Sequence, residues 1–221
     1  MPLEIHSHKS EKPAGRIRQR NEQLILAAAE QEFASCGFKG ASMREIALRA
    51  NLPKANIHYY FKNKLGLYFA VLSDIIDLWD STLSHLKAED DAASSLTHYL
   101  RKKIEFSRDH PLASRIFASE IISGGPNLDS YFTEGYEEWF KSRTAVFEQW
   151  QQQGQLDAAI APGHLIFLLW SSTQHYADFA LQVASALGKE ALEDQDYEQA
   201  IETLTHIILK GCGIKQSCEN N

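Results

Sequence analysis

Between Ser42-Met43-Arg44-Glu45 and the aromatic run Tyr59-Tyr60-Phe61, the triplet Asn51-Leu52-Pro53 interrupts what would otherwise read as one helix. Asn tolerates the left-handed turn conformation, and Pro, with its fixed φ, suits the first position of a new helix. The break therefore separates two short helices by a tight turn. The Ser42 segment is a capping box: the serine hydroxyl is expected to accept from the Glu45 amide while the Glu45 carboxylate reaches back to the Ser42 amide. The first helix of the pair then starts at Met43 with Ile46 and Ala47 inward. The second runs from Pro53 to about Tyr60, with Ile57 and Phe61 facing the core.

Elsewhere, apolar residues keep the three-to-four-residue spacing of a helix with one buried face. From Arg16, the positions Leu24, Ala27, Ala28 and Phe33 mark such a face until Gly37 stops it as a C-cap. After Lys62-Asn63, a long helix from Leu65 to Leu86 carries Tyr68, Leu72, Ile75, Ile76, Trp79 and Leu83, and ends in the solvated Glu89-Asp90-Asp91 turn. Further helices are expected at about Ala93–Arg108, Leu112–Ser123, Leu128–Gln153, Pro162–Leu187 and Tyr197–Lys210, separated by His110-Pro111, Gly124-Gly125-Pro126, Gly154 and Gly188. No segment alternates with a period of two, and neither repeats nor low-complexity tracts are present. The expected fold is all-α with about nine helices.

Apolar residues make up 44% of the 221 and charged residues 23%, which places the chain among ordinary globular proteins rather than disordered or membrane ones. No apolar run is longer than that from Leu165 to Trp170, which is too short to cross a bilayer. Residues 1–15 are polar, contain Pro13 and Gly15, and carry no signal pattern; they read as a flexible arm of a cytoplasmic protein. The three cysteines lack metal-ligand spacing, so no metal or cofactor is expected; Cys36 reads as a small packed residue, and Cys212 and Cys218 as tail thiols. Through Ala70 there are 11 Lys and Arg against 6 Asp and Glu, a net of +5, whereas the remainder holds 11 against 23, a net of −12. A basic module on an acidic body engages phosphate while the body is repelled from it.

Two short helices with a polar, basic second member form the geometry that lays a recognition helix in the DNA major groove. Its exposed candidates are Lys54, Ala55, Asn56, His58 and Tyr59, with Ser42 and Arg44 at the start of the preceding helix. Lys54 can donate to guanine and Asn56 can pair with adenine. Arg16, Arg18 and Arg20 are either a solvated helix start or an arm reaching phosphate or a minor groove.

The order and spacing of Ala28 to Phe33, Gly37 to Gly40, Ser42 to Ala47 and Lys54 to Leu65 resemble the signature of the TetR family of transcriptional regulators. That resemblance implies an N-terminal helix-turn-helix domain (residues 16–64) that binds double-stranded operator DNA, a C-terminal domain (65–212) that binds a small-molecule effector and dimerises, and a tail (213–221). It further implies phosphate contacts from Tyr59, Tyr60 and Lys64. Asn51 stands where the family usually has glycine, and His58 where tyrosine or leucine is frequent, which leaves the role of His58 open.

The segment from His164 to Phe179 turns polar midway, and helical spacing stacks Trp170, Gln174 and Asp178 at i, i+4 and i+8. This segment, Tyr99 to Arg115 and Ser123 to Pro126 are similar to a family member that represses pyrimidine utilisation in enteric bacteria. The similarity implies a uracil- or thymine-like ligand at Trp170 and Gln174. A carboxamide complements an imide, and an indole stacks on a flat ring. Trp79 is a second expected wall; His175 and Asp178 are candidate contacts whose roles stay open. The last two helices carry apolar faces suited to a homodimer, with Ile201, Leu204 and Ile208 as the expected seam. A TetR-type repressor of a different ligand and a helical adaptor that binds no DNA are the alternatives; an enzyme is not expected, because no nucleophile elbow, phosphate loop or metal pair is present.

Overall fold

The computed structural model describes residues 13–215; most of the expected arm, the end of the expected tail and Cys218 lie outside the described residues. Among the described residues there are eleven helices and no strand: α1 (Pro13–Gly40), α2 (Met43–Ala50), α3 (Lys54–Phe61), α4 (Lys64–Ser84), α5 (Ala92–Asp109), α6 (Pro111–Ile122), α7 (Asp129–Thr133), α8 (Tyr136–Gln152), α9 (Pro162–Asp178), α10 (Ala180–Ala186) and α11 (Asp194–Gly211). The all-α expectation holds. The two additional helices arise from breaks inside expected ones: Gly135, with φ 89°, divides the expected 128–153 helix into α7 and α8, and Phe179 divides the 162–187 helix into α9 and α10. Residue contacts divide the chain into two units, 1–71 and 72–221.

In the first unit α1 packs on α2 and α2 on α3. The buried phase of α1 is Ile25, Ala28, Ala29 and Phe33; Leu24 and Ala27 are exposed, contrary to the expected face, because the buried stripe is set one residue further on by Ile25. Gly37 (φ 65°, ψ 173°) interrupts α1 where the stop was expected. Ser42 caps α2, but its hydroxyl accepts from the Arg44 amide at 3.2 Å, and its own amide donates to the buried Glu32 of α1 at 3.2 Å rather than to Glu45. The second Glu32 oxygen accepts from Arg49 Nε at 3.3 Å, so one carboxylate ties both ends of α2 to α1. Asn51 adopts the left-handed conformation (φ 53°, ψ 42°), as expected at the break. Ile46, Ile57 and Leu67 are fully buried, each burial contributing roughly 1.5–3 kcal/mol. Leu65, expected inward, is exposed; Leu67 and Tyr68 take the core side.

In the second unit α5 packs on both α9 and α11, with α6 and α8 also against α9. Trp150, Phe147, Leu96, Leu100, Ile166 and Leu169 form the centre of the core, and the Trp150 indole donates to the Asp90 carbonyl at 3.2 Å. Cys212 is buried in this core and Cys36 is exposed, the reverse of the expected assignment. The polar middle of α9 is satisfied locally: the Thr173 hydroxyl donates to the Leu169 carbonyl at 2.7 Å, and the Ser107 hydroxyl donates to the Thr173 carbonyl at 3.0 Å. Ile201 and Ile208, expected at a dimer seam, are buried within the chain. The large apolar side chains left exposed along α9–α11 are Phe167, Leu168, Phe179, Leu181, Leu187 and Ile207, with Phe179 and Leu187 at helix ends. No helix among the described residues is long and apolar enough to cross a membrane.

Candidate functional site

Lys54, Ala55, His58 and Tyr59 form the exposed side of α3, opposite buried Ile57 and Phe61, and Asn56 and Tyr60 are half-buried at its margins. Arg44 is exposed and Ser42 half-buried at the start of α2. The Tyr59 and Tyr60 rings meet edge-on at 5.3 Å. His58 Nδ1 lies 2.9 Å from the Lys62 carbonyl, and since a carbonyl only accepts, Nδ1 carries the proton and the imidazole closes the end of α3. Its other ring nitrogen is left for a partner.

The α3–α4 corner is tight. Lys62 has φ 61°, Asn63 accepts from the Gly66 amide at 2.8 Å, and a Cβ on Gly66 would lie 2.6 Å from the Phe61 carbonyl oxygen, so glycine is required there. Lys64, expected on phosphate, points its ammonium at its own unit: it donates to the carbonyls of Lys39 at 3.2 Å and Ala41 at 3.1 Å and lies 4.9 Å from the Phe38 ring centre. Two of its three N–H groups are thus engaged in holding the end of α1.

The second unit contains a cavity of about 290 Å³ lined by Trp79, Asp80, Lys103, Phe117, Tyr131, Phe132, Tyr136, Trp139, Trp170 and Gln174, together with Leu83 and Ile121. Helices α4, α5, α6, α7, α8 and α9 each contribute. This volume is at the small end of ligand pockets and suits a single-ring occupant. Trp79 meets Phe117 edge-on at 4.7 Å, and Trp170 stacks on Trp139 at 6.5 Å. A larger groove of about 710 Å³, bordered by His85, Asp90, His98 and Lys102, is open to solvent. Among the described residues no cluster of His, Cys, Asp and Glu has metal-binding geometry.

Three of the five candidate ligand contacts, Trp79, Trp170 and Gln174, therefore meet at one cavity, and two do not. His175 is exposed and stacks on Phe179 at 5.0 Å. Asp178 accepts from the Ser114 hydroxyl and is pushed upward in pKa, first by burial. Gln174 is half-buried and its carboxamide has no hydrogen-bond partner among the described residues.

Sequence reasoning missed the two charged residues of the cavity. Asp80 is raised from 3.8 to about 6, chiefly by burial and then by Asp77, against the pull of Lys103 and Tyr131. Lys103 is 3% exposed, lies 4.6 Å from the Trp79 ring centre, and is lowered by burial from 10.5 to about 8, with Asp178 and Asp80 opposing. Both were detectable as charges in apolar phase, Asp80 between Ile76 and Leu83, and Lys103 between Tyr99 and Phe106. The aromatic side chains of α7 and α8 were missed because a continuous helix had been expected across Gly135.

The sequence model of bacterial regulatory proteins of the tetR family matches residues 25–71, and that of the YcdC-like protein C-terminal region matches residues 72–215. The HTH-type transcriptional regulator RutR of Escherichia coli is 38% identical over 189 residues, covering 86% of this chain and 89% of that protein. The HTH-type transcriptional repressor SCO4008 of Streptomyces coelicolor is 28% identical over 156 residues, covering 71% and 78%. A transcriptional regulator of known structure, also from Streptomyces coelicolor, superposes with a TM-score of 0.68 at 21% identity over 88% of this chain and 99% of its own, a likeness of fold. With both models matched end to end over a helix-turn-helix unit and a helical unit that encloses an aromatic cavity, the chain belongs to the TetR family of bacterial transcriptional regulators.

Proposed function

We propose that the chain is a homodimeric repressor of nucleobase metabolism genes that leaves its operator when a uracil- or thymine-like base fills the cavity. The observation that carries the reading is the unpaired Gln174 carboxamide at a single-ring cavity walled by Trp79 and Trp170. An imide offers N–H beside C=O, the complement of a carboxamide's C=O and NH₂, and its flat ring stacks on indole. The resemblance of the α9 segment to a pyrimidine-responsive family member supports the same ligand.

On the DNA side, α3 is the recognition helix. Lys54 and Asn56 address base edges, Ala55 packs against them, and His58 offers its free ring nitrogen. Ser42, Arg44, Tyr59 and Tyr60 position the helix on phosphates, with any Lys64 contribution limited to its remaining N–H. Exposed Phe167, Leu168, Leu181 and Ile207 supply an apolar face for a second copy.

A ligand shifts an equilibrium only by binding one state better than the other. Helix α4 starts at Lys64 and carries Trp79 and Asp80, so it is the element whose setting the ligand biases. The test is operator retardation on a gel with and without uracil or thymine: release of the bound fragment is expected, and indifference to both bases would leave only the regulator assignment standing.

A further inference from the structure

Lys103 is a charge in a costly place. It is buried on α5 among core residues, its ammonium rests over the Trp79 ring, and among the described residues it makes no hydrogen bond or ion pair. An aromatic face compensates only part of the hydration a cation loses on burial, and an unpaired buried charge destabilises the fold that holds it. The two carboxylates that act on it over a distance relieve it only in part, since burial outweighs both: Asp178 also accepts from Ser114, and Asp80, on the cavity wall, also accepts from Tyr131. Lys103 is one of the residues that line the cavity. A methionine would fill the same space without this penalty, so packing alone does not account for the ammonium.

Asp80 presents the opposite chemistry at the same wall, a carboxylate that only accepts. We propose that Lys103 and Asp80 are the polar recognition pair of the cavity, Lys103 donating to a ring carbonyl and Asp80 accepting from a ring N–H, and that they select a flat, uncharged ring and reject its carboxylated analogue. The inference rests on the effector reading above and adds the charge class of the occupant. Charge balance decides that class: a carboxylate on the ligand would meet Lys103 but also Asp80, and Asp178 already acts on the Lys103 charge, whereas an uncharged ring with N–H beside C=O satisfies both members of the pair. The aromatic walls of Trp79, Phe117, Trp139 and Trp170 accept a flat ring and exclude a bulky one.

The experiment is calorimetric titration of the full-length protein and its Lys103→Met and Asp80→Leu variants with uracil, 1,3-dimethyluracil, uracil-6-carboxylate and hydantoin, alongside thermal melts of the empty proteins. Wild type is expected to bind uracil at least tenfold more tightly than the dimethyl and carboxylate analogues. Each variant should lose at least tenfold in uracil affinity, and Lys103→Met should melt at a higher temperature than wild type when empty, which separates lost recognition from lost fold. Uracil binding to Lys103→Met within twofold of wild type overturns the proposal, as does tighter binding of the carboxylate than of uracil. Binding of hydantoin but not uracil, with the same dependence on Lys103 and Asp80, retains the pair and removes the pyrimidine reading. Binding of none of the four overturns both.

Discussion

The Lys103 ammonium lies 4.6 Å from the centre of the Trp79 indole, a buried cation resting on one wall of the cavity. Burial lowers its folded-state pKa to about 8 from 10.5, so between those values the unfolded chain binds the additional proton. The cost is fully present below pH 8, and stability rises as pH climbs above it, by on the order of 3 kcal/mol if the whole window is traversed. Asp80 acts lower on the scale: with its pKa raised to about 6, the folded chain holds the extra proton between 3.8 and 6, and stability falls as pH rises through that window. Tyr131 and Tyr136 face Asp80 and are raised above 10, so their loss of stability begins only beyond pH 10. Burial raises the Cys212 thiol above its usual 9, so its loss of stability opposes the Lys103 gain from pH 9 upward. Melting temperature without ligand is therefore expected to rise from pH 8 to 9, and Lys103→Met to remove that rise. Identical slopes for the two proteins would contradict the assignment.

In the DNA-binding unit the most vulnerable polar group is Glu32. It accepts from the Ser42 amide and from Arg49, and is itself buried. Glu32→Ala leaves an amide and a guanidinium without their partner and should destabilise α2 by about 1–3 kcal/mol. Amide hydrogen exchange is the suitable readout, because the two units need not unfold together. Faster exchange confined to α1–α3 is expected; unchanged protection at α2 would mean that water replaces the carboxylate at no cost.

Gly66→Ala acts by sterics alone. The added methyl would sit 2.6 Å from the Phe61 carbonyl oxygen, a backbone atom that cannot rotate away. The α3–α4 corner must open, with a stability loss of about 1–3 kcal/mol typical of overpacking. Since that corner fixes the end of α3, operator affinity should fall with it. A variant that melts and binds as wild type does would mean the corner already flexes.

What could be read from the sequence was whatever depends on local pattern. Asn51 in a left-handed turn, the starts of α2 and α3, buried Ile57 and Phe61, and the stacking of Trp170 and Gln174 on one helix face follow from spacing and residue type, whereas Trp79 came in only as an expected second wall beside a ligand site that the family resemblance implied. Long-range partners were not legible. Nothing local indicates that Glu32 outcompetes Glu45 for the Ser42 amide, or that Lys64 spends its donors on Lys39 and Ala41. In the Lys102-Lys103 pair, periodicity points at Lys103, but a core lysine contradicts the ordinary expectation that charge faces water, and the contradiction itself marked the cavity.

The engagement of Lys64 separates two lysines that sequence treats alike. Lys54 is exposed on α3 and makes no hydrogen bond or ion pair with the described residues, so Lys54→Ala should weaken operator binding and flatten the salt dependence by about one unit while the melting temperature stays put. Lys64→Ala removes two hydrogen bonds to carbonyls, each worth about 1 kcal/mol, and should lower the melting temperature first. Filter-binding titrations over salt, paired with melts, distinguish them. The reverse pattern would make Lys64 the phosphate contact and Lys54 the structural residue.

Gln174 tests whether the cavity governs DNA binding. Its carboxamide has no hydrogen-bond partner among the described residues, so Gln174→Leu removes no hydrogen bond among them and adds apolar surface to an aromatic wall. The folded state and operator affinity without ligand are expected to be unchanged. In the complex, however, an imide would be left facing a leucine, costing about 1–3 kcal/mol of uracil affinity. If ligand and operator are coupled by about 1–3 kcal/mol, linkage requires DNA to weaken uracil binding by the same factor that uracil weakens DNA binding. Titrating uracil into the wild-type protein with and without saturating operator measures that factor directly. In the variant the coupling should persist while the concentration of uracil needed for release rises by the lost affinity, roughly five- to 150-fold. Loss of coupling at unchanged affinity would instead make Gln174 part of the switch rather than of the recognition surface, and equal affinity with equal coupling would make it a wall residue only.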